Sequence, residues 1–484
     1  MSLDASEMSV EHWIAGNATP PASNEYFDVL NPLNDSVIGQ APRGNAADID
    51  HAVQIAASTF SSYRKTLPKR REEWLLNAAV LLGQRAELFS QLLIDEVGSA
   101  ISKARREVDT AIATLRAAAG TVRRLSGQTM PTDVAGRLSY SVREPLGVVA
   151  GISPFNVPLI KAVKQSAMPL ATGNTCVLLP SPEAPATVAH LARLYKDAGI
   201  PDGAFNVVFG YGEEIGDHLT THADVRFVSF TGSTKVGRHI QALCGLDGKR
   251  VSLEMGGKNP LIVLQDADVQ LAVKSAVIGG FLFQGQICMA SSRIYVHDAV
   301  YDPFVNALCS AVKSLTVRDL RSPDAMIGPI ISQRQRTRIR RHIEDAVAQG
   351  ATIETGGEWK GNVLMPTVLT GVSEECEIHR QETFGPVVAV YRVHSADEAL
   401  AGANDSPLGL CAAVHTQDLT RAMKFVRELN VGMVHVNAPT IQEEAHVPFG
   451  GNGDSGFGRE GSEVAIDDLT EWKWVTMQSV PGGV

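Results

Sequence analysis

Leu75, Leu76, Ala79, Leu82, Leu88 and Leu92 recur at helical spacing and predict one amphipathic helix from Glu72 to Val97. A second helix is expected from about Ser102 to Arg124. Beyond it the texture changes. Val148–Ile152 and Thr175–Leu179 are short apolar runs that read as buried strands, with a helix over Pro158–Leu170 between them. A helix over Pro185–Ala198 and a strand over Phe205–Phe209 follow. This βαβαβ alternation implies a parallel sheet with helices on its faces. Further alternation over Val225–Val263 and Arg293–Val390 predicts an α/β chain with two such domains.

Composition narrows the class. The 484 residues are 44 % apolar and 20 % charged, which excludes a disordered, collagen-like or disulfide-scaffold protein. A formal net charge of −10 disfavours nucleic acid as a partner, since binding it requires a basic face. Two basic runs, Lys69–Arg71 and the series Arg334, Arg336, Arg338, Arg340 and Arg341, read as solvated helix faces. The six cysteines form neither a C-x-x-C pair nor a Cys/His cluster, so no metal site is expected, and their scatter suits a reducing, cytoplasmic compartment. Asp4, Glu7 and Glu11 without an apolar run argue against a secretory signal, and no membrane-spanning stretch is seen. Gly482 and Gly483 are expected to fray.

Five segments could carry chemistry. Gly210–Gly216 follows a strand with spacing G-x-G-x-x-x-G, one residue off the dinucleotide fingerprint, and reads equally as a plain strand-to-helix turn. Phe230–Thr234 ends an apolar run with small hydroxyl residues opening a helix, a setting for phosphate or for an ordinary N-cap. Glu254 stands at a strand end before Gly256, Gly257 and Lys258, either facing a crevice or lying on the surface. Cys288 follows the Gly285 turn; near a helix N-terminus its thiolate would be stabilised, while a small buried hydrophobe is the plainer reading. Asn156, between Pro154 and Pro158, could donate to an oxyanion or cap the following helix.

Together with Gln381–Pro386 and the glycine-rich stretch 448–460, these segments resemble the aldehyde dehydrogenase superfamily over nearly the whole chain. Glu254 with its Met-Gly-Gly-Lys continuation, followed 34 residues later by Cys288, is the most specific part of the match. The resemblance implies an enzyme that oxidises an aldehyde to a carboxylic acid. Cys288 would be the nucleophile, Asn156 and the Cys288 N–H the oxyanion hole, and Glu254 the base that activates water on the thioester. For the cofactor, it implies Ser233 and Gly232 at the pyrophosphate, Glu382 at the nicotinamide ribose and Phe384 beside it. Gly212 and Gly216 would then lie nearer the adenine than the phosphates, and Ile152, Ser153, Pro154, Leu179, Ser181, Phe230, Met255 and Gly256 would complete the cofactor site.

Two departures from the family pattern matter. Leu179 stands where many members carry a ribose-gripping Lys, and Pro182 where many carry a Glu that repels a 2′-phosphate. The changes oppose each other; NAD is expected, with NADP as the alternative. On the substrate side, Lys161 and Lys164 share a helix face, and Lys164 lies near where aryl-aldehyde-type members carry Arg. Phe155, Ile287, Met289 and Phe449 are the other expected substrate contacts. An aromatic aldehyde is expected, with a carboxylate-bearing semialdehyde as the alternative. A CoA-acylating enzyme and a non-catalytic relative are disfavoured by the joint presence of Glu254, Cys288 and Asn156. The implied fold has two Rossmann-like α/β domains and a small β oligomerisation element. Residues 1–124 and 145–254 would bind the dinucleotide, 255–463 would be catalytic, and 125–144 with 464–484 would join copies into a homodimer or homotetramer.

Overall fold

The apolar runs become strands because each has a helix on both sides to cover it. In the computed structural model, which describes residues 5–478 apart from 316 and 462, β1 is Val148–Ile152, β2 is Thr175–Leu179 and β3 is Phe205–Val207. β4 is Val225–Thr231, β5 is Arg250–Glu254, β6 is Asn259–Val263 and β7 is Ser291–His297. The first sheet runs β3-β2-β1-β4-β5 in parallel, with short antiparallel strands at each edge. Successive residues of β1 face opposite layers, Val148 and Ala150 one apolar cluster and Val149 the other. A second sheet, with β7 and β6 near its centre, holds strands from residues 259–436 and alternates likewise, Leu261 and Val263 on one side and Ile262 on the other. The fold is therefore α/β with two Rossmann-like sheets.

The helices depart from the pattern in one place. The stretch expected as one helix is two, Pro68–Gln84 and Ala86–Val97, broken at Arg85 (φ −104°, ψ 16°). The first buries only the stripe Leu75, Ala78, Ala79 and Leu82, whereas the second is buried on every face from Phe89 to Val97. A single straight axis cannot serve both environments. The next helix, α1, spans Ile101–Thr121 and ends in a tighter turn at Val122–Arg124. Helix α2 spans Pro158–Thr172, with Pro at its first position and Gly173 (φ 92°) closing it in the left-handed region. Helix α3 spans Pro185–Asp197 and α4 spans Thr234–Leu246.

Residues 137–145 and 470–478 form a two-stranded antiparallel ribbon, paired from Arg137↔Gln478 to Pro145↔Thr470. Trp472, Trp474, Met477 and Leu138 are exposed on it. Gly482 and Gly483 lie outside the described residues. Among the described residues no helix is long and apolar enough to cross a membrane, and no group of acidic, His and Cys side chains could hold a metal ion. The basic runs are not uniformly solvated. Arg71 is buried, Arg336 is buried on Asp35 at 3.0 Å, and Arg338 donates to the Glu382 carbonyl.

Candidate active site

Connections from β1 lead toward β2, and those after β3 return to place β4 on the other side of β1. The chain therefore diverges beyond the carboxyl ends of β1 and β4, where open parallel sheets form a crevice. Ser153–Asn156 leaves one of these ends and Gly232–Ser233 the other. Ser233 is the N-cap of α4, its hydroxyl accepting from the Val236 N–H at 3.4 Å, so the N-cap reading holds. A Cβ on Gly232 would lie 2.5 Å from the Phe230 ring, which explains the glycine.

The crevice opens into a cavity of about 540 Å3. All fourteen residues expected to touch a cofactor line it, from Ile152, Ser153 and Pro154 through Leu179, Ser181, Gly212 and Gly216 to Phe230, Gly232, Ser233, Met255, Gly256, Glu382 and Phe384. Cys288, Glu254, Asn156, Lys161 and Phe155 line the same cavity. Ile287, Met289 and Phe449 are packed in the apolar core beside it instead. Sequence reasoning missed Lys235, His239 and Arg338 on the walls; a basic run gives no signal that one of its members turns inward.

Cys288 does not precede a helix. It sits in a turn between a short 3-10 segment, Leu282–Gly285, and β7. Phe283, Gln284 and Gly285 all have positive φ (49°, 54° and 65°), a strained run that the surroundings must hold. Gln284 donates to the Pro329 carbonyl at 3.0 Å, Gln286 accepts from the Ile331 N–H at 3.0 Å, and Asn259 donates to the Cys288 carbonyl at 2.7 Å. With no helix dipole to help, burial pushes the Cys288 thiol up to about 12, Lys161 opposing. The Asn156 side chain does not cap α2 either: the N-cap is Val157, and no side chain of its own caps that end.

Glu254, the last residue of β5, is buried, and neither carboxylate oxygen has a hydrogen-bond partner among the described residues. Burial, with the charge of Glu460 adding to it, pushes its pKa up to about 8. A Cβ on Gly450 would stand 2.8 Å from its Oε1, so the glycine leaves room for the carboxylate.

Lys161 and Lys164 are not solvated: both are taken up by carboxylates of the chain itself, and Lys161 lines the cavity whereas Lys164 lies outside its lining. Lys161 Nζ lies 2.7 Å from Glu460, which Lys164 also meets at 3.1 Å, and Lys164 makes a second, close ion pair with Glu443. Both ammonium groups also lie over the Phe449 ring, at 5.1 and 4.5 Å from its centroid. Burial alone would raise the Glu460 carboxyl, but the two lysines prevail and hold it below the usual range. The two glutamates are hundreds of residues away in sequence, so no helical spacing could have revealed them.

Glu382 is held by the Gly257 N–H at 3.1 Å, and burial raises its pKa to about 7. A Cβ on Gly256 would fall 2.3 Å from Glu382 Oε2. The neighbouring Lys258 is buried with its amine unpartnered among the described residues, and burial lowers it to about 7. Phe384 adopts φ 57° and meets Phe155 edge-on, with ring centroids 5.9 Å apart.

A model of the aldehyde dehydrogenase family matches residues 19–475. A vanillin dehydrogenase of Pseudomonas fluorescens is 37 % identical over 471 residues, 97 % of this chain and 98 % of its own. The solved structure of a salicylaldehyde dehydrogenase from Pseudomonas putida G7, complexed with salicylaldehyde, superposes with TM-score 0.95 at 34 % identity, covering 98 % of this chain and 99 % of that one. A betaine aldehyde dehydrogenase from Staphylococcus aureus in complex with NAD+ gives TM-score 0.95 at 32 % identity, over 98 % and 96 % of the two chains.

Proposed function

Because the chain belongs to the aldehyde dehydrogenase family, we propose that it oxidises an aromatic aldehyde to the carboxylic acid through an acyl group carried on Cys288. The observation that carries this reading is that Cys288, Glu254 and Asn156 line one cavity with the fourteen crevice residues. Cys288 gives up its thiol proton to the Glu254 carboxylate, which passes it to solvent; as the thiolate attacks the aldehyde carbon a C–S bond forms, and the carbonyl oxygen becomes an oxyanion that the Asn156 carboxamide and the Cys288 N–H receive. Oxidation of that adduct leaves a thioester on Cys288. Glu254 then takes a proton from water as the water attacks the thioester carbon. The C–S bond breaks, the acid leaves and the sulfur departs as thiolate.

The crevice fits a nicotinamide dinucleotide, which supplies the hydride acceptor for the oxidation when bound. The glycines at 232 and 256 leave room where a Cβ would clash, and Ser233 and Gly232 sit at a helix start suited to the pyrophosphate. Glu382 would hold the nicotinamide ribose. Ser181 on the wall donates to the Glu183 carboxylate behind it, a negative charge near the wall that supports NAD over NADP.

The aromatic substrate is supported by the vanillin and salicylaldehyde relatives and by the rings of Phe155 and Phe384 on the cavity wall. The neutralised lysines weigh against a carboxylate-bearing substrate. The exposed tryptophans of the 137–145/470–478 ribbon support its joining copies of the chain as a dimer or tetramer. The unpaired state of all six cysteines supports a cytoplasmic setting. Steady-state turnover of benzaldehyde and 4-carboxybenzaldehyde with NAD and NADP tests the reading. Preferred use of the neutral ring with NAD is expected; a tenfold preference for the carboxylated ring or for NADP contradicts it.

A further inference from the structure

Behind the cavity wall, α1 carries a buried ion pair that the chemistry above does not use. Lys103 Nζ lies 2.5 Å from Glu107 Oε2, and both side chains are almost wholly buried. Their other polar and ring contacts go to the Asn156 turn, the start of α2 and the segment before Cys288. Lys103 donates to the Asn156 backbone carbonyl at 2.8 Å, and its ammonium stands 4.0 Å from the centroid of Phe283, in the strained run before Cys288. Glu107 Oε1 accepts from the Leu159 N–H at 3.0 Å and, at 3.5 Å, from that of Ile160. Those are first-turn donors of α2, whose own N-cap residue supplies no side-chain acceptor. Glu107 therefore caps α2 from another helix.

We propose that Lys103 and Glu107 are positioning residues that fix the Asn156 turn against the Cys288 turn, so that the oxyanion donor and the nucleophile meet the same carbonyl group. This rests on the reading of Asn156 as an oxyanion donor. A buried pair whose hydrogen bonds reach the Asn156 carbonyl and the first turn of α2, and whose ammonium meets the Phe283 ring, ties the α2 terminus to the Cys288 turn across more than a hundred residues of sequence. A misplacement of about 1 Å at such a site costs on the order of 100-fold in rate.

Removing either charge alone leaves the other buried and unpaired, which threatens folding. The test therefore uses the double variant Lys103→Met/Glu107→Gln. It keeps an amide oxygen for the Leu159 and Ile160 N–H groups but removes the ammonium from the Asn156 carbonyl and the Phe283 ring. It is measured in the parent and in an Asn156→Ala background. Lys103→Arg, which keeps the charge but alters the donor geometry, is carried through the same cycle and decides the matter if the double variant does not fold.

In the parent background kcat for benzaldehyde is expected to fall at least tenfold with the double variant and severalfold with Lys103→Arg, with the Kd for NAD within twofold of the parent. In the Asn156→Ala background the same changes are expected to alter kcat by less than twofold. An unchanged kcat in the parent background overturns the proposal, as does an equal loss in both backgrounds, which would mark a general structural effect. If Asn156→Ala itself leaves kcat intact, the oxyanion reading fails; if Asn156→Ala is crippling while the Lys103 and Glu107 variants are not, only the positioning proposal fails.

Discussion

Replacing Glu254 by Gln should change the dependence of stability on pH in a way set by the burial of this one carboxyl group. Its pKa is raised from 4.5 to about 8, chiefly by burial, and neither oxygen has a protein partner among the described residues. Below pH 4.5 the group is protonated in both folded and unfolded chains and costs nothing. Between 4.5 and 8 the unfolded chain ionises it while the folded chain does not, so stability falls as pH rises. Above 8 both states are ionised and the penalty is constant. The separation corresponds to about 3 kcal/mol at pH 7 and roughly 5 kcal/mol at the plateau. Gln keeps the shape and the unmet hydrogen-bonding capacity but not the charge. For a chain of this length the difference corresponds to roughly 3–5 °C in Tm. Thermal unfolding of parent and Glu254→Gln, followed from pH 4 to pH 9, reads it directly. The variant should gain on the parent steadily above pH 5 and level off near pH 8. A Tm difference that is flat across this range would show that Glu254 titrates as an ordinary carboxyl, ionised well below neutral pH and correspondingly weak as a base.

Other outcomes follow from the same geometry. Asn156→Ala should lower kcat by about 100- to 1000-fold, the usual loss for one oxyanion donor, with the Kd for NAD little changed; titration of cofactor binding beside steady-state rates separates the two. Alkylation of Cys288 by iodoacetamide in the absence of cofactor should speed up with rising pH and show no plateau up to pH 9, because burial holds the thiol near 12; a plateau near pH 7 would contradict this. Glu460→Gln removes the negative charge that helps raise Glu254 and leaves Lys161 and Lys164 beside it, so the alkaline rise of the deacylation rate should move to lower pH.

Local pattern carried much of this architecture. The apolar runs at 148–152 and 175–179 became strands with the expected bounds, and Pro158 marked the first turn of α2. The break at Arg85 was hidden because Gly83, the nearest helix-weakening residue, still lies inside the first helix and the apolar spacing runs on past it; the cause is a change in what surrounds the helix, which arises only in the packed molecule. Motif and separation did single out Cys288, Glu254 and Asn156, which line one cavity. The electrostatics around them were not legible. The partners of Lys161 and Lys164 come from residues 443 and 460, and the partner of Lys103 on the Asn156 turn is 53 residues from it. The Lys103–Glu107 spacing is that of any exposed helical ion pair; burial and the neighbouring turn give it meaning. Cys288 was expected near a helix N-terminus because glycine turns often lead into helices, whereas here the chain passes directly into β7.

In the proposed cycle Cys288 carries the acyl group and Glu254 releases it. Glu254→Gln mixed with benzaldehyde and NAD, quenched and digested for mass spectrometry, tests that claim most directly. One equivalent of NADH per active site should form in a burst, with little turnover afterwards and a benzoyl group on the peptide containing Cys288. Steady turnover without an adduct, or a benzoyl group on any other cysteine, would contradict it.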